Sequence, residues 1–447
     1  MPRRRIVDSF RNPAQLVVAA FALLIGIGTL LLRLPFAVDG PDHPGIGDAL
    51  FTSTSATTVT GLATVDFSTW SVFGELVLLA LIQVGGFGIM TIGSVLAIVY
   101  SRRVGLRQRM LAQAEIGAVD MGELRTLVMA IARITVLMEA TVALLLFARL
   151  WHRDPGSPGR AAYSAVFHAV SSFNNAGISL YSNSLEDFVG DAWITIVVST
   201  SFIIGGLGFP ILVELYRRIR PRRWSLHTRI TLLATVGLLL VGPIVVMTFE
   251  WTNPDTLGPL AGGDKVLASW FQGATPRTAG FNTIDIGALN EPTLLFITTL
   301  MFIGAGPAST SGGIKITTFA VLGWVMWSEV RGDAEVNIFR RRLPNAVVRQ
   351  ALTVALLAVG VVVGTGLLLV TIQSGLTLTP ALFEAASAFG TVGLSTGLTP
   401  DLSIVGKMLL VAVMLAGRVG PVTVVTALAL RQRIRAYRYP EERPIIG

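Results

Sequence analysis

Apolar stretches of roughly 20 residues alternate with short polar segments along the chain, at 14–32, 76–100, 126–150, 192–216, 228–249, 293–303 continued by 316–328, 347–372 and 404–430. As α-helix, such stretches cross about 30 Å of hydrocarbon, so the pattern predicts eight membrane spans. Within each successive pair of spans lies a shorter, mixed segment: DALFTSTSATTVTGL (48–62), SAVFHAVSSFNNAGI (164–178), KVLASWFQGATPRTAGF (265–281) and TPALFEAASAFGTVGL (379–394). These align on Gly61, Gly177, Gly280 and Gly393, and an aromatic residue stands ten positions before each glycine: Phe51, Phe167, Trp270 and Phe383. Recurrence of one unit at one offset marks an internal repeat.

The repeats divide the chain into 1–110 with loop 48–62, 111–225 with loop 164–178, 226–345 with loop 264–281, and 346–447 with loop 379–394 and a cytoplasmic C-terminal tail. Asp48, Ser164, Asp264 and Thr379 read as helix caps, and Pro380 as suited to the first helical position. The distance from cap to glycine suits a half-helix that enters the membrane partway and returns extended, its negative dipole end toward the centre. Non-helical backbone at that depth survives only where protein buries it or water reaches it. The expected fold is therefore an all-α integral membrane protein: four consecutive span–pore loop–span repeats, eight transmembrane helices and four re-entrant pore helices around a pseudo-fourfold central pore.

Composition agrees with this class. Of 447 residues, 52% are apolar and 14% charged, and the mean hydropathy is +0.67, beyond the needs of a soluble domain. Without cysteine the chain has no disulfide, thiolate metal site or thiol nucleophile, and four scattered histidines offer no metal-ligand spacing. The net charge of +8 is concentrated in 1–12, 101–125, 217–229, 331–349 and 431–447, segments separated by even numbers of spans. The positive-inside rule makes these cytoplasmic, both termini included, and removes nucleic acid as a partner. The first apolar run lacks a convincing cleavage site and reads as an uncleaved span. The opposite connections carry Asp39, Asp42, Asp48, Asp66, Glu186, Asp187, Asp191, Asp255, Asp264, Asp285, Glu291 and Asp401, which would gather cations at a pore mouth.

A pore that strips an alkali cation of water must supply replacement oxygens, and backbone carbonyls do so without burying formal charge. Glycine permits the positive φ that lets four backbones approach one axis. The candidate potassium-binding residues are Val59, Thr60 and Gly61; Asn175, Ala176 and Gly177; Thr278, Ala279 and Gly280; and Thr391, Val392 and Gly393. None is charged, which fits carbonyl coordination of a monovalent ion. The second span of each repeat carries a small-residue cluster, Gly85-Gly86-Phe87-Gly88, Gly205-Gly206-Leu207-Gly208, Gly304-Ala305-Gly306 or Ala416-Gly417-Arg418-Val419-Gly420, suited to close packing on the loops.

Only the third of these spans is broken outright, by GAGPASTSGGIKITT (304–318). Proline and paired glycines interrupt a helix, and small hydroxyls make exposed backbone tolerable in a wet cavity. The segment 304–317 is the candidate intramembrane gate, with Gly306, Ser309, Thr310, Ser311, Gly312, Gly313 and Lys315 as a flexible loop restrained near Arg418; a static plug is the alternative. Arg418 is too far from Lys407 and Arg431 for easy access to an interface, so it needs a partner, with Glu139, Glu75 and Glu384 as candidates. Arg277 is expected to point away from the axis, toward an outer carboxylate.

The four glycine-ended loops, RTAGFN (277–282), the broken span 304–318 and LAGRVGP (415–421) together resemble the Trk/Ktr/HKT superfamily of potassium transporters, and eight spans with a short tail resemble most the Ktr membrane subunit. The resemblance covers essentially the whole chain. It implies potassium uptake across the cell (plasma or inner) membrane, K+ as cargo with Na+ as a further candidate, no organic cofactor and no enzymatic activity. It also implies a homodimer with a pore in each subunit, docked on a cytosolic ring of nucleotide-binding, RCK-type regulatory subunits. Membrane lipids are the alternative contact for the basic loops. Three rival readings stand beside it. The potassium-translocating subunit of an ATP-driven pump should be longer; an enzyme using 304–318 as a phosphate loop should show G-x-x-x-x-G-K-[ST] after a strand; an anion carrier should have basic outer loops.

Overall fold

The computed structural model describes residues 13–40, 43–109, 121–217, 221 and 224–430. The basic segments 1–12 and 431–447, Asp42, the junction at 110–120 and the arginines Arg218, Arg220, Arg222 and Arg223 lie outside the described residues. The chain is mostly helical: α1 (Pro13–Leu32), α2 (Ile46–Thr58), α3 (Val72–Arg109), α4 (Met121–Arg153), α5 (Pro158–Phe173), α6 (Ala192–Leu207), α7 (Phe209–Arg217), α8 (Leu226–Glu250), α9 (Gly262–Ala274), α10 (Glu291–Phe302), α11 (Ile316–Arg331), α12 (Asn345–Ile372), α13 (Leu378–Gly390) and α14 (Ile404–Leu430). A two-residue antiparallel hairpin, β1 (Asn337–Ile338) with β2 (Arg341–Arg342), pairs Asn337 with Arg342 and Ile338 with Arg341.

The apolar stretches fold as α1, α3, α4, α6 with α7, α8, α10 with α11, α12 and α14. Among the described residues, three stretches are straight, long and apolar enough to cross a bilayer, Arg125–Arg153, Leu226–Glu250 and Asn345–Ile372, and the bent pair α6–α7 makes a fourth. Their outward faces are apolar: Leu233, Val236, Leu240 and Ile244 on α8, and Leu352, Leu356, Val359 and Val363 on α12, are exposed. In water such a surface would aggregate; here it is the side that meets lipid.

Four helices lie outside the apolar stretches and are short. α2, α9 and α13 have 13 residues and α5 has 16, so they rise about 20–24 Å and stop short of a full crossing. Each is wedged between neighbouring helices, α2 by α1 and α3, α5 by α4 and α6, α9 by α8 and α6, α13 by α12 and α14. Phe51, Phe167 and Phe383 are fully buried in this packing, and Trp270 donates from Nε1 to Ser199 Oγ at 3.2 Å.

Two expectations need correction. Asp48, Ser164, Asp264 and Thr379 cap nothing: the helices begin after Gly45, Ser157, Ala261 and Thr377, none of which makes a side-chain cap bond. Asp48 and Asp264 instead sit in the first turn, where the helix dipole favours an anion. The stretch 192–216 is not one straight span; it bends by 96° between α6 and α7. The bend falls on Gly208, whose φ of +94° is open to glycine, and a Cβ there would collide with the Pro307 carbonyl.

Candidate functional site

The C-terminal ends of α2, α5, α9 and α13 lead into four turns of one shape. Each has a residue in the left-handed region, Val59 (φ 57°), Asn175 (φ 60°), Thr278 (φ 74°) or Thr391 (φ 50°), followed two positions later by a glycine of positive φ, Gly61 (92°), Gly177 (66°), Gly280 (79°) or Gly393 (97°). Asparagine tolerates that region, but the β-branched Val59, Thr278 and Thr391 are held there at a cost of about 1–3 kcal/mol each. Strain of this kind persists only where the surroundings impose it.

The turns close on one another in a cycle. A Cβ added to Gly61 would strike the Ala176 carbonyl oxygen; one on Gly177 would lie 2.8 Å from that of Ala279; one on Gly280 would strike that of Val392; one on Gly393 would strike that of Thr60. Every glycine thus faces the carbonyl that precedes the next glycine, and the fourth returns to the first. The structure brings all twelve candidate binding residues into this ring, and all but Gly393 are buried.

Hydroxyls that the sequence reading passed over pin the turns from behind. Ser55 Oγ accepts from Gly61 N at 3.0 Å and Ser387 Oγ from Gly393 N at 3.1 Å, while Ser171 Oγ donates to Ile178 O at 2.7 Å and Thr275 Oγ1 to Phe281 O at 2.6 Å. The available signal was a small hydroxyl five or six positions before each turn glycine. The glycine clusters press on the same helix ends: Gly85 abuts the Thr57 carbonyl, Gly205 that of Phe173 and Gly417 that of Phe389, each leaving no room for a Cβ. In the third repeat Gly304 instead abuts the Gly312 carbonyl, within its own loop.

That loop interrupts the helix between Phe302 and Ile316 and is ordered by its own bonds. Gly304 N donates to Ile314 O (2.8 Å), Ile316 N to Ala305 O (3.0 Å) and Gly306 N to Gly206 O (2.8 Å). Ser309 Oγ donates to Gly306 O (2.6 Å), and Lys315 Nζ to Ser311 O (2.6 Å). Ser309, Thr310 and Ser311 are buried, so the segment is a bonded insert. It touches two of the four turns: the Asn175 amide lies 3.0 Å from Thr310 Oγ1, and Gly312 packs on the Thr391 side chain.

Arg418 corrects another expectation. Its guanidinium donates from Nη1 to the Thr310 carbonyl and from Nη2 to Gly85 O at 3.4 Å, and among the described residues it has no carboxylate partner. The three acids proposed for it are committed elsewhere: Glu75 accepts from Tyr163 Oη (2.6 Å), Glu139 from Gln83 and Asn174, and Glu384 from Ser395, Thr396 and Thr399. Gly313 N adds a bond to Gly417 O at 3.2 Å, so α14 grips the loop at two points. Arg277 likewise has no carboxylate partner among the described residues; it donates to Thr235 O at 3.3 Å on α8. A backbone carbonyl accepts from a buried guanidinium without burying a second charge, although the Nε of each arginine is buried with no hydrogen-bond partner among the described residues.

The acidic connections are partly neutralised. Asp191 accepts from Arg149 (2.8 Å) and Arg153 (3.4 Å), and Asp48 pairs with Lys407 at 2.9 Å. Glu186 keeps a free charge beside Asp285 and Asp187 and accepts from Asn282 Nδ2 at 2.8 Å. Burial first, then the Asp285 charge, push its carboxyl above the ordinary 4.5. A raised carboxyl binds its proton more tightly when folded, so its ionisation costs stability at neutral pH and costs nothing below the ordinary value. Glu186→Gln should therefore raise the melting temperature at pH 7, with the gain fading as the pH falls from the raised value of the folded carboxyl toward 4.5; a gain that grows toward acid would contradict this.

Residues 2–434 match the model of the TrkH family, described as cation transport protein. The chain is 40% identical over 437 residues to Ktr system potassium uptake protein B of Bacillus subtilis, spanning 98% of this chain and 97% of the relative. It is 33% identical over 443 residues to the potassium/sodium uptake protein NtpJ of Enterococcus hirae, spanning 98% and 97%. The crystal structure of the potassium transporter TrkH from Vibrio parahaemolyticus superposes with a TM-score of 0.75 at 19% identity, covering 96% of this chain and 86% of that one, a likeness of fold alone.

Proposed function

Because the chain belongs to the TrkH family of cation transport proteins, integral membrane transporters and not enzymes, we propose that it carries potassium into the cell through the ring of four glycine turns. The observation that carries this reading is the cyclic contact of Gly61, Gly177, Gly280 and Gly393 with the carbonyls of Ala176, Ala279, Val392 and Thr60. Four backbones packed this closely, pinned by hydroxyls and free of formal charge, suit replacement of a monovalent cation's water shell. The names of the relatives agree: one takes up potassium, another potassium and sodium. Potassium is the cargo, and sodium is a second or stimulating ion.

On this reading the chain has four span–pore loop–span repeats, with α2, α5, α9 and α13 as pore helices and eight spans around a pseudo-fourfold pore. The bonded insert 304–317, clamped by Arg418, is the gate beneath the ring. Two chains form a homodimer, each with its own pore, and a cytosolic RCK-type ring moves the gate; the relatives' designation as parts of a Ktr system supports a partner subunit. Both termini are cytoplasmic, and the ring opens to the outside between the acidic connections. The pump-subunit alternative has no observation in its favour.

Purified protein in vesicles, without ATP, tests the function. Potassium flux driven by an imposed potential is expected, and potassium should raise the melting temperature at concentrations where choline does not, a readout independent of the gate's position. A requirement for ATP, or equal protection by choline, overturns the reading.

A further inference from the structure

The residue before each left-handed turn position is Thr58, Asn174, Arg277 or Gly390, and these differ in how the surrounding scaffold holds them. Thr58 is tied within its own segment, to Thr54 O (2.7 Å) and Thr60 Oγ1 (2.7 Å). Gly390 has no side chain. Arg277 reaches α8, as described, and Asn174 reaches both α3 and α4.

Asn174 ends α5 and directly precedes Asn175, so its side chain fixes the direction in which the second turn leaves the helix. Its Nδ2 donates to Glu139 Oε1 (2.9 Å), Gln83 Oε1 (3.0 Å) and Val170 O (3.0 Å). Gln83 Nε2 in turn donates to Glu139 Oε2 at 3.2 Å. Gly86 makes room for the arrangement, since a Cβ there would collide with Asn174 Oδ1. Both Glu139 and Asn174 are buried.

Glu139 is thus a carboxylate in the middle of an apolar span whose partners, among the described residues, are two neutral amides and no cation. Three aliphatic side chains of the same size would fill this space without the expense of desolvating an acid, so packing alone does not account for it. A hydrogen bond to Asn174 gives what packing lacks, a fixed direction for the amide and for the backbone one residue from the ring.

We propose that Glu139, with Gln83, is a positioning residue for ion discrimination: it holds Asn174 so that Asn175, Ala176 and Gly177 keep their place in the ring. The proposal rests on the reading of that ring as the ion-selective element. It predicts that discrimination follows the bond to Asn174 and not the charge of Glu139. Gln keeps an oxygen that accepts from Asn174, whereas Leu does not.

The test is the potassium-to-sodium flux ratio of the full chain in vesicles, with melting temperature recorded in parallel and Gly280→Ser as a reporter of the ring. Glu139→Leu and Asn174→Ala should each lower the ratio by about tenfold, the scale of one lost buried hydrogen bond. Glu139→Gln should stay within about twofold of the unaltered protein. Should Glu139→Leu not fold, Asn174→Ala decides alone. If Gly280→Ser changes the ratio while folded Glu139→Leu and Asn174→Ala leave it unchanged, the positioning role is wrong and the ring reading stands. If none of the three changes it, the ring reading falls and the positioning role with it. Loss of discrimination in Glu139→Gln equal to that in Glu139→Leu also overturns the proposal, because charge and not the bond would then be at work.

Discussion

Gly280→Ser is expected to cut potassium-over-sodium discrimination by at least about tenfold, a change equivalent to roughly 1.4 kcal/mol, and to slow potassium uptake with it. Gly280 has φ +79°, and a Cβ there would collide with the Val392 carbonyl and come 3.0 Å from the Gly177 Cα. Backbone of both neighbours stands in the way, so no rotamer relieves the clash and the carbonyl itself must move. The left-handed strain adds about 1–3 kcal/mol on its own. Gly360→Ser is the matched control: it lies on α12 with nothing within 4 Å of an added Cβ, and it should leave uptake unchanged. Uptake by potassium-transport-deficient cells, with potassium and sodium in competition, reads both. Unchanged uptake and discrimination in Gly280→Ser would remove the ring from the ion path.

The second large effect is expected at Arg418. Arg418→Gln should raise potassium flux through the isolated chain by about tenfold, because on the proposed reading one side chain would supply both an electrostatic barrier to cations and a clamp on the Thr310 carbonyl, to which it donates. On the same reading Lys315, bonded to Ser311 in the same loop, adds to that barrier. Removing residues 309–312 should act in the same direction without altering Arg418, since Thr310 and Gly312 are the loop's contacts with Asn175 and Thr391. Flux that stays at its original level in both folded variants would leave the loop as a static plug.

The ring was legible in the sequence because its cause is steric. A backbone that must adopt positive φ beside another backbone admits only glycine, so Gly61, Gly177, Gly280 and Gly393 declare themselves. The break at 304–318 was legible for a related reason, proline and paired glycine in an apolar run. The partners of Arg418 and Arg277 were not, because a backbone carbonyl leaves no trace in the pattern of side chains; a search for acids finds Glu139 and Glu384, each already satisfied. The bend at Gly208 was hidden differently. Gly88 and Gly208 occupy the same place in the same motif, yet Gly88 has open space around it and α3 runs through, whereas Gly208 lies against Pro307 of another repeat. Only the tertiary contact tells them apart. The helix starts were misplaced because a good capping residue is a weak signal beside the long helices that fix where α2, α9 and α13 can begin.

The differing seats of the glycine clusters have one more consequence. Three quadrants of the molecule are masonry, with Gly85, Gly205 and Gly417 mortared against the helix ends behind the ring, while the third repeat leaves its joint open and fills it with the loop. A pore assembled from four identical chains must open all its walls alike. On the proposed reading, one chain carrying four unlike copies can keep three walls standing and hang a door in the fourth.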